Sequence, residues 1–186
     1  MPLSTHLNAV LDELNHTLGQ IDDDHADRLA EAILAARRVF VAGAGRSGLM
    51  VRAFAMRLMH LGLNTHVVGE VTAPSIGAGD LLLVGSGSGS TASLVTSAEK
   101  ARSLGAGLAL ITIDPNSPIG QLADVVVAIP APTPKIEQDL GFSSVQPMGS
   151  LFEQGLMLTL DALLIDLMER SGAVVEEMFA RHANLE

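Results

Sequence analysis

The feature that most constrains the fold is a short apolar run that breaks into glycines and serines. Leu81 to Val84 are all apolar, a pattern typical of a strand buried on both faces of a parallel sheet. Residues 85–91 then read Gly-Ser-Gly-Ser-Gly-Ser-Thr, and sequence compatible with a helix resumes at Ala92. A strand, a loop of small residues and a helix start together predict an α/β protein with an anion-binding loop at the end of this strand.

The composition of this loop favours a single phosphate group over a nucleotide. Its glycines allow a ligand to approach the backbone, while free N–H groups, the helix dipole and several hydroxyls favour an anion. A nucleotide P-loop carries Gly-Lys-Ser/Thr where this chain has Gly89-Ser90-Thr91, so the missing lysine disfavours ATP and GTP. The alternative is a flexible serine–glycine turn. We predict phosphate contacts from six residues: Ser86, Gly87, Ser88, Gly89, Ser90 and Thr91.

Strands and helices alternate through the middle of the chain. Apolar runs predict five strands, at residues 38–42, 64–68, 81–84, 108–113 and 125–129, with helices at 49–61 and 91–104. This alternation is typical of a three-layer, doubly wound α/β fold around a five-stranded parallel sheet. We interpret all 186 residues as one domain, with N-terminal helices in 1–37, the sheet core in 38–129, a loop at 130–149 and C-terminal helices in 150–186.

A second glycine-rich stretch follows the first predicted strand. Gly43-Ala-Gly-Arg-Ser-Gly48 satisfies the G-x-G-x-x-G pattern, and Glu70 lies downstream at a distance suited to an NAD-binding Rossmann protein. The pattern alone is weak, and it leaves the serine loop unexplained. Two loops at the carboxyl ends of parallel strands predict a shared crevice instead. Ser47 would then bind a phosphate or sugar hydroxyl, and Arg46 either the anion or a carboxylate of a neighbouring subunit.

Composition excludes several classes of partner. The net charge is −10 without a basic cluster, which disfavours nucleic acid and requires local donors to hold an anionic substrate. Cysteine is absent, which excludes disulfides and cysteine metal sites, and we interpret the acidic run at 22–24 as a helix cap. No apolar stretch reaches the roughly 18 residues that span a bilayer, and no signal peptide is recognisable. We therefore expect a cytoplasmic protein without a membrane partner.

Two helices are more apolar than the surface of a small monomer allows. Apolar residues occupy nearly every face of the segment 156–168, and the segment 49–59 is similarly rich. A helix that is apolar all round implies a partner surface. These segments predict a homo-oligomer with helix packed on helix, and a monodisperse monomer in solution would contradict that prediction.

These motifs resemble the sugar isomerase (SIS) domain family, and within it the 6-phospho-3-hexuloisomerases of the ribulose monophosphate pathway. The SIS loop Ser-x-Ser-Gly-x-Thr corresponds to residues 86–91, with Ser90 where such loops often carry glutamate. Four further stretches carry the closer resemblance: Gly43-Ala-Gly-Arg-Ser-Gly48, Phe54-Ala-Met-Arg-Leu-Met-His-Leu-Gly62, Gln146-Pro-Met-Gly-Ser-Leu-Phe-Glu153 and Arg181-His-Ala-Asn-Leu-Glu186. The resemblance implies interconversion of 3-hexulose 6-phosphate and fructose 6-phosphate, with no metal or other cofactor, in a tetramer.

The implied reaction needs a base that reaches two neighbouring carbons. Moving a carbonyl from C3 to C2 removes a proton from C2 and returns one to C3, and one carboxylate suffices if both carbons lie on the same side. Glu153 is the candidate, because the resemblance puts a catalytic glutamate in this region; by sequence alone it is a first-turn helix glutamate. His182 is the candidate for proton transfer at oxygen or for ring opening, in a neighbouring subunit's site. His60 is either catalytic or a satisfied core or interface histidine.

Two other functions remain open at this point. SIS domains also serve as non-catalytic phosphosugar-binding modules, and ligand binding without turnover would identify one. The glycine pattern at 43–48 leaves an NAD-binding protein as the third hypothesis. Tight NAD binding without a response to phosphosugars would favour it.

Overall fold

The computed structural model of the chain describes residues 1–134 and 140–185. Six helices and five strands are found there. In chain order they are α1 (Leu3–Leu18), α2 (Asp23–Ala35), β1 (Arg38–Gly43), α3 (Gly45–Leu61), β2 (Thr65–Val67), β3 (Asp80–Gly85), α4 (Ala92–Ser103), β4 (Gly107–Thr112), β5 (Val125–Ala128), α5 (Ser150–Ser171) and α6 (Val175–Ala180). Part of the predicted loop, residues 135–139, and Glu186 of the tail motif lie outside the described residues.

The five strands form one parallel sheet in the order β2-β1-β3-β4-β5. The central strand β3 is buried along its whole length, because its side chains face helices on both sides of the sheet. Its register pairs Leu83 with Val41 on one side and with Ala109 on the other. The predicted fold class is therefore confirmed, with all five strands where the apolar runs placed them.

Two hydrophobic clusters cover the two faces of the sheet. One joins alternate strand residues such as Val41 and Leu83 to apolar side chains of α2, α3 and α5, with α1 packed on α5. The other joins the remaining strand residues, such as Phe40 and Leu82, to α4. This alternation follows from the two-residue period of a strand and gives the predicted three layers. None of the described helices is both long and apolar enough to span a membrane.

The observed ends of most elements fall within two residues of the predicted ones, and the start of α3 is the exception. The sequence predicted a loop up to Gly48, but the helix begins at Gly45. The first turn is drawn onto β1 because Gly43 and Gly48 touch: a Cβ on Gly48 would lie 2.6 Å from the carbonyl oxygen of Gly43. Arg46 and Ser47 are therefore helical residues. The helix-cap interpretation of 22–24 is confirmed, since Asp22 accepts a hydrogen bond from the His25 N–H.

An ion cluster fastens the amino end of the sheet, opposite the glycine loops. Asp80 opens β3 with a fully buried side chain, and its carboxylate accepts hydrogen bonds from Arg38, Arg37 and the Gly77 N–H. The hydrogen bond from Arg38 is the largest cause that holds the pKa of Asp80 far below its usual range, and it outweighs burial, which acts to raise it. The ionised carboxylate therefore stabilises the folded chain.

Asp80→Asn is expected to lower the free energy of unfolding by roughly 3 kcal/mol, because it leaves the Arg38 guanidinium without its buried partner. The pKa of Asp80 is lower in the folded than in the unfolded chain. The stabilisation that the ionised Asp80 gives the folded chain is therefore fully present above its unfolded pKa of about 4. It is lost as the pH falls below that value. Denaturant unfolding should show a smaller difference in the free energy of unfolding between the unsubstituted protein and Asp80→Asn at pH 3 than at pH 7. An equal difference at both values would contradict this role of the charge.

Candidate active site

A crevice of about 210 Å³ opens at the carboxyl ends of β1 and β3. From these neighbouring strands the chain continues toward opposite edges of the sheet, since α3 leads from β1 to β2 and α4 leads from β3 to β4. Open parallel sheets bind ligands at such a switch point. Both predicted loops line it, as the sequence predicted, together with the start of α5. The predicted site residues in its lining are Arg46, Ser47, Ser86, Gly87, Ser88, Thr91 and Glu153.

The serine loop is held in one shape by its own hydroxyls and by its neighbours. The Ser86 side chain is buried and its Oγ accepts a hydrogen bond from the Gly89 N–H at 3.2 Å. Ser88 Oγ likewise accepts from the Ser90 N–H. The carbonyl oxygen of Gly87 accepts from Thr112 Oγ1 and the Ile113 N–H, both at 3.0 Å. A loop tied at this many points is a preformed cradle.

Gly89 and Ser90 do not line the crevice, although both were predicted to contact the phosphate. Gly89 is buried beneath the loop with a left-handed φ of +56°, and a Cβ there would overlap the Ser117 side chain. Its N–H is already bonded to Ser86, so its observed role is to give the loop its shape. Ser90 is exposed on the outer side of the turn. Backbone curvature separates these two residues from the other four.

The first turns of α3 and α5 meet across the mouth of the crevice. Arg46 Nη1 lies 3.1 Å from Glu153 Oε2 and donates a hydrogen bond to Ser150 Oγ at 2.8 Å. Arg46 therefore has a carboxylate partner within its own chain, a possibility that the sequence reasoning did not consider. Glu153 is mostly buried, with 18% of its side chain exposed. The arrangement presents a carboxylate beside a guanidinium, facing the serine loop.

Ser150 carries no role in the sequence-based prediction, although its hydroxyl bonds to Arg46, which lines the crevice. Ser150 is the first residue of α5, and its buried hydroxyl accepts the hydrogen bond from Arg46. Its place in the Gln146–Glu153 motif is the only sequence signal that could have found it. Seven lining residues also carry no predicted role: Ala44, Gly45, Gly85, Ile113, Thr133, Gly149 and Phe152. All of them except Ile113 and Thr133 belong to the glycine-rich stretches or to the Gln146–Glu153 motif.

The two candidate histidines lie together, away from this crevice. His60 is 15 residues along α3 from Gly45, which corresponds to about 22 Å of helix. It is buried, its ring stacks on His182 with centroids 5.3 Å apart, and its Nδ1 is 3.3 Å from Arg57 Nη1. Burial, followed by the charges of Arg57 and His182, lowers the pKa of His60. The single chain therefore does not bring either histidine to Glu153, because α3 runs away from the carboxyl edge of the sheet.

The acidic residue of the dinucleotide pattern lies outside this crevice, and the residues that the structure describes contain no cluster suited to a metal ion. Among residues 1–134 and 140–185, no three His, Asp or Glu side chains are grouped so that they could hold a metal ion. Glu70, the acidic residue of the dinucleotide pattern, lines a separate cavity with Lys100. Gly43 and Gly48 pack closely on each other, whereas a Cβ at Gly45 would meet nothing within 4 Å.

Comparisons with known proteins agree with this geometry. The SIS domain pattern matches residues 32–158. A 3-hexulose-6-phosphate isomerase of Bacillus subtilis is 47% identical over 186 residues and is covered completely, as is this chain. A second, from Mycobacterium gastri, is 48% identical over 99% of this chain and 92% of its own length.

Solved structures show the same relationship. A Methanococcus jannaschii protein, for which a molecular function of 3-hexulose-6-phosphate isomerase has been inferred from its structure, superposes with a TM-score of 0.84 at 33% identity. The match covers 98% of this chain and 99% of that one. The sugar isomerase domain of an RpiR transcription factor from Sphaerobacter thermophilus shares the fold, with a TM-score of 0.74 at 22% identity, covering 97% and 95% of the two chains. The chain belongs to the SIS domain family and, within it, to the 3-hexulose-6-phosphate isomerases.

Proposed function

We propose that this protein interconverts 3-hexulose 6-phosphate and fructose 6-phosphate by proton transfer through a cis-enediolate. The observation that carries the proposal is a single crevice in which the serine loop and the Glu153 carboxylate face each other. The relatives from Bacillus subtilis and Mycobacterium gastri are named for this isomerisation. A crevice of about 210 Å³, below the roughly 300–1,000 Å³ of drug-sized sites, suits a small metabolite.

In this proposal the 6-phosphate binds at the serine loop through uncharged donors. The Gly89 and Ser90 N–H groups are engaged within the loop. In the described part of the chain, the Gly87 and Ser88 N–H groups have no protein acceptor and are left for the ligand, and the start of α4 adds its dipole. The hydroxyls of Ser86 and Ser88 accept within the loop and keep their protons to donate. Neutral donors suit a phosphate here because the crevice already contains the cationic Arg46.

Glu153 is proposed as the base that serves both carbons. It takes the proton from C2 of the hexulose, the C–H electron pair forms the C2–C3 double bond of the enediolate, and the π pair of the C3 carbonyl moves to O3. A proton then passes from O2 to O3, and the same carboxyl returns its proton to C3 as the carbonyl forms at C2. Arg46 orients this carboxylate through its 3.1 Å contact. Its positive charge also stabilises the negative oxygen of the enediolate.

We further propose that the working form is a homotetramer. In it, His182 of a neighbouring copy transfers the proton at the substrate oxygens. Apolar side chains exposed on α3 support this, since Leu49, Met56 and Met59 are 59%, 47% and 41% exposed in the single chain. Ile165 on α5 is 61% exposed. Such side chains mark contact surfaces when they lie together.

Incubation with fructose 6-phosphate in deuterated water tests the function directly. Proton exchange through the enediolate should place deuterium at C3 of fructose 6-phosphate, which NMR detects, together with the appearance of the 3-hexulose phosphate. Unphosphorylated fructose is the matched control and should remain unlabelled, because it lacks the group that the serine loop binds. Binding of fructose 6-phosphate without any exchange would contradict the isomerase. It would favour the non-catalytic phosphosugar-binding protein.

A further inference from the structure

A carboxylate on the first helix holds the chain segment that leads into the crevice. Glu13 Oε2 accepts hydrogen bonds from Ser144 Oγ at 2.7 Å and from Gln146 Nε2 at 3.0 Å, and Oε1 accepts from the Val145 N–H. Ser144 Oγ in turn accepts from the Gln146 N–H at 3.0 Å. One side chain of α1 therefore closes a turn that lies 131 residues later in the chain.

The bonds to Glu13 require its ionised form. Among the described residues, each group that bonds to the carboxylate is a donor: a hydroxyl, a backbone N–H and a side-chain amide. Burial acts to raise the pKa of Glu13, but these three hydrogen bonds outweigh it and hold the pKa below its usual value. The same face of α1 makes a second contact one turn later, where the rings of His16 and Phe142 pack edge to face with their centroids 4.7 Å apart.

The held segment connects directly to the predicted base. After Gln146 the chain passes through Met148, which has a left-handed φ of +60°, and α5 starts at Ser150 with Glu153 in its first turn. A left-handed φ is unfavourable for a residue other than glycine and persists only where its surroundings fix it. Glu13 fixes the chain on one side of Met148, and the bond from Arg46 to Ser150 fixes it on the other.

We propose that Glu13 is a positioning residue, which holds residues 144–146 so that the turn after them presents Ser150 and Glu153 to the crevice. The inference rests on the proposed function, in which Glu153 is the base. It assigns α1, which contributes no lining residue, a part in catalysis. Because Glu13 is far in sequence from the site, no pattern around it signals this role.

Glu13→Gln tests the proposal with little change of size, because the amide has one acceptor oxygen in place of two and directs its NH₂ at other donors. Displacement of a catalytic group by about 1 Å can lower a rate by about a hundredfold. We expect kcat to fall between about tenfold and a hundredfold. KM should change less than about threefold, because the serine loop does not contact Glu13. Amide hydrogen exchange should accelerate in 142–149 and stay unchanged in β3.

Asp12→Asn is the matched control, since it removes one negative charge from the neighbouring exposed position of α1. It should leave kcat and amide exchange unchanged. Ser144→Ala removes one of the three donors from the other side and should act in the same direction with a smaller effect. It also provides the test if Glu13→Gln fails to fold.

Equal kcat in the Glu13→Gln and Asp12→Asn variants would overturn the proposal, and so would unchanged exchange in 142–149. Failure of the isomerase proposal is distinguishable, because it shows as absent turnover in the unsubstituted protein. In that case the exchange measurement alone decides the role of Glu13. Accelerated exchange confined to 142–149 then supports it, and unchanged exchange overturns it.

Discussion

Glu153→Gln is expected to lower kcat by about a thousandfold, within the range of about 10²–10⁴ that general acid–base catalysis contributes. The amide cannot take a proton from carbon at neutral pH. Its Oε1 can still accept the contact from Arg46 that the carboxylate now makes at 3.1 Å, so the crevice should keep its shape. The affinity for fructose 6-phosphate should therefore change less than about threefold. Deuterium incorporation at C3 measures the first effect, and calorimetric titration measures the second.

Glu169→Gln provides the control for this experiment. Glu169 lies on the same helix in an exposed position, so its replacement makes the same change of charge without touching the crevice. It should leave both the isotope exchange and the affinity unchanged. If Glu153→Gln retained exchange within about tenfold of the unsubstituted protein, the assignment of the base would be wrong, whatever the reaction of the protein is.

Gly89→Ala is the second prediction with a large effect, and it concerns binding. A Cβ at this position would overlap the Ser117 side chain, and the φ of +56° is unfavourable for alanine by about 1–2 kcal/mol. The turn must therefore move, which breaks the bond from the Gly89 N–H to Ser86 Oγ and displaces the donors of Gly87 and Ser88. We expect the affinity for fructose 6-phosphate to fall at least about a hundredfold, measured by calorimetry.

Gly77→Ala is a suitable control, because a Cβ at Gly77 meets nothing within 4 Å and its φ is not left-handed. It should leave the affinity unchanged. The loop can also be tested without moving its backbone by combining Ser86→Ala with Ser88→Ala, which removes two hydroxyl donors. Undiminished sugar-phosphate affinity in that double variant and in Gly89→Ala would contradict the phosphate-binding role of the whole loop.

Local sequence predicted most of the fold because the signals of parallel sheets are local. The run Leu81–Val84 identified the central strand, because a strand covered on both faces must be apolar at every position. The start of α3 was predicted four residues late. There, a glycine-rich stretch that reads as a loop becomes helical because Gly43 and Gly48 touch across the turn, a contact that no local pattern contains.

The candidate site was predicted less completely than the fold. The serine loop was identified because it is a contiguous motif, and Glu153 because its motif resembles one in a known family. Both lie in one crevice. Gly89 and Ser90 were included because the loop was treated as uniform, whereas its curvature turns them away. His60 and His182 were proposed as catalytic groups, and the single chain places them together at the far end of α3.

The sequence by itself determined the α/β class, the parallel sheet and the two loops at strand ends, because each depends on residues within a few positions of one another. Only the tertiary structure decided which side chains meet. Arg46 bonds to Ser150 across 104 residues, and Glu13 bonds to Ser144 across 131. Such contacts arise where the turns of separate elements are packed together by the hydrophobic clusters on the sheet. Their partners carry no local periodicity, so nothing short of the packed fold identifies them.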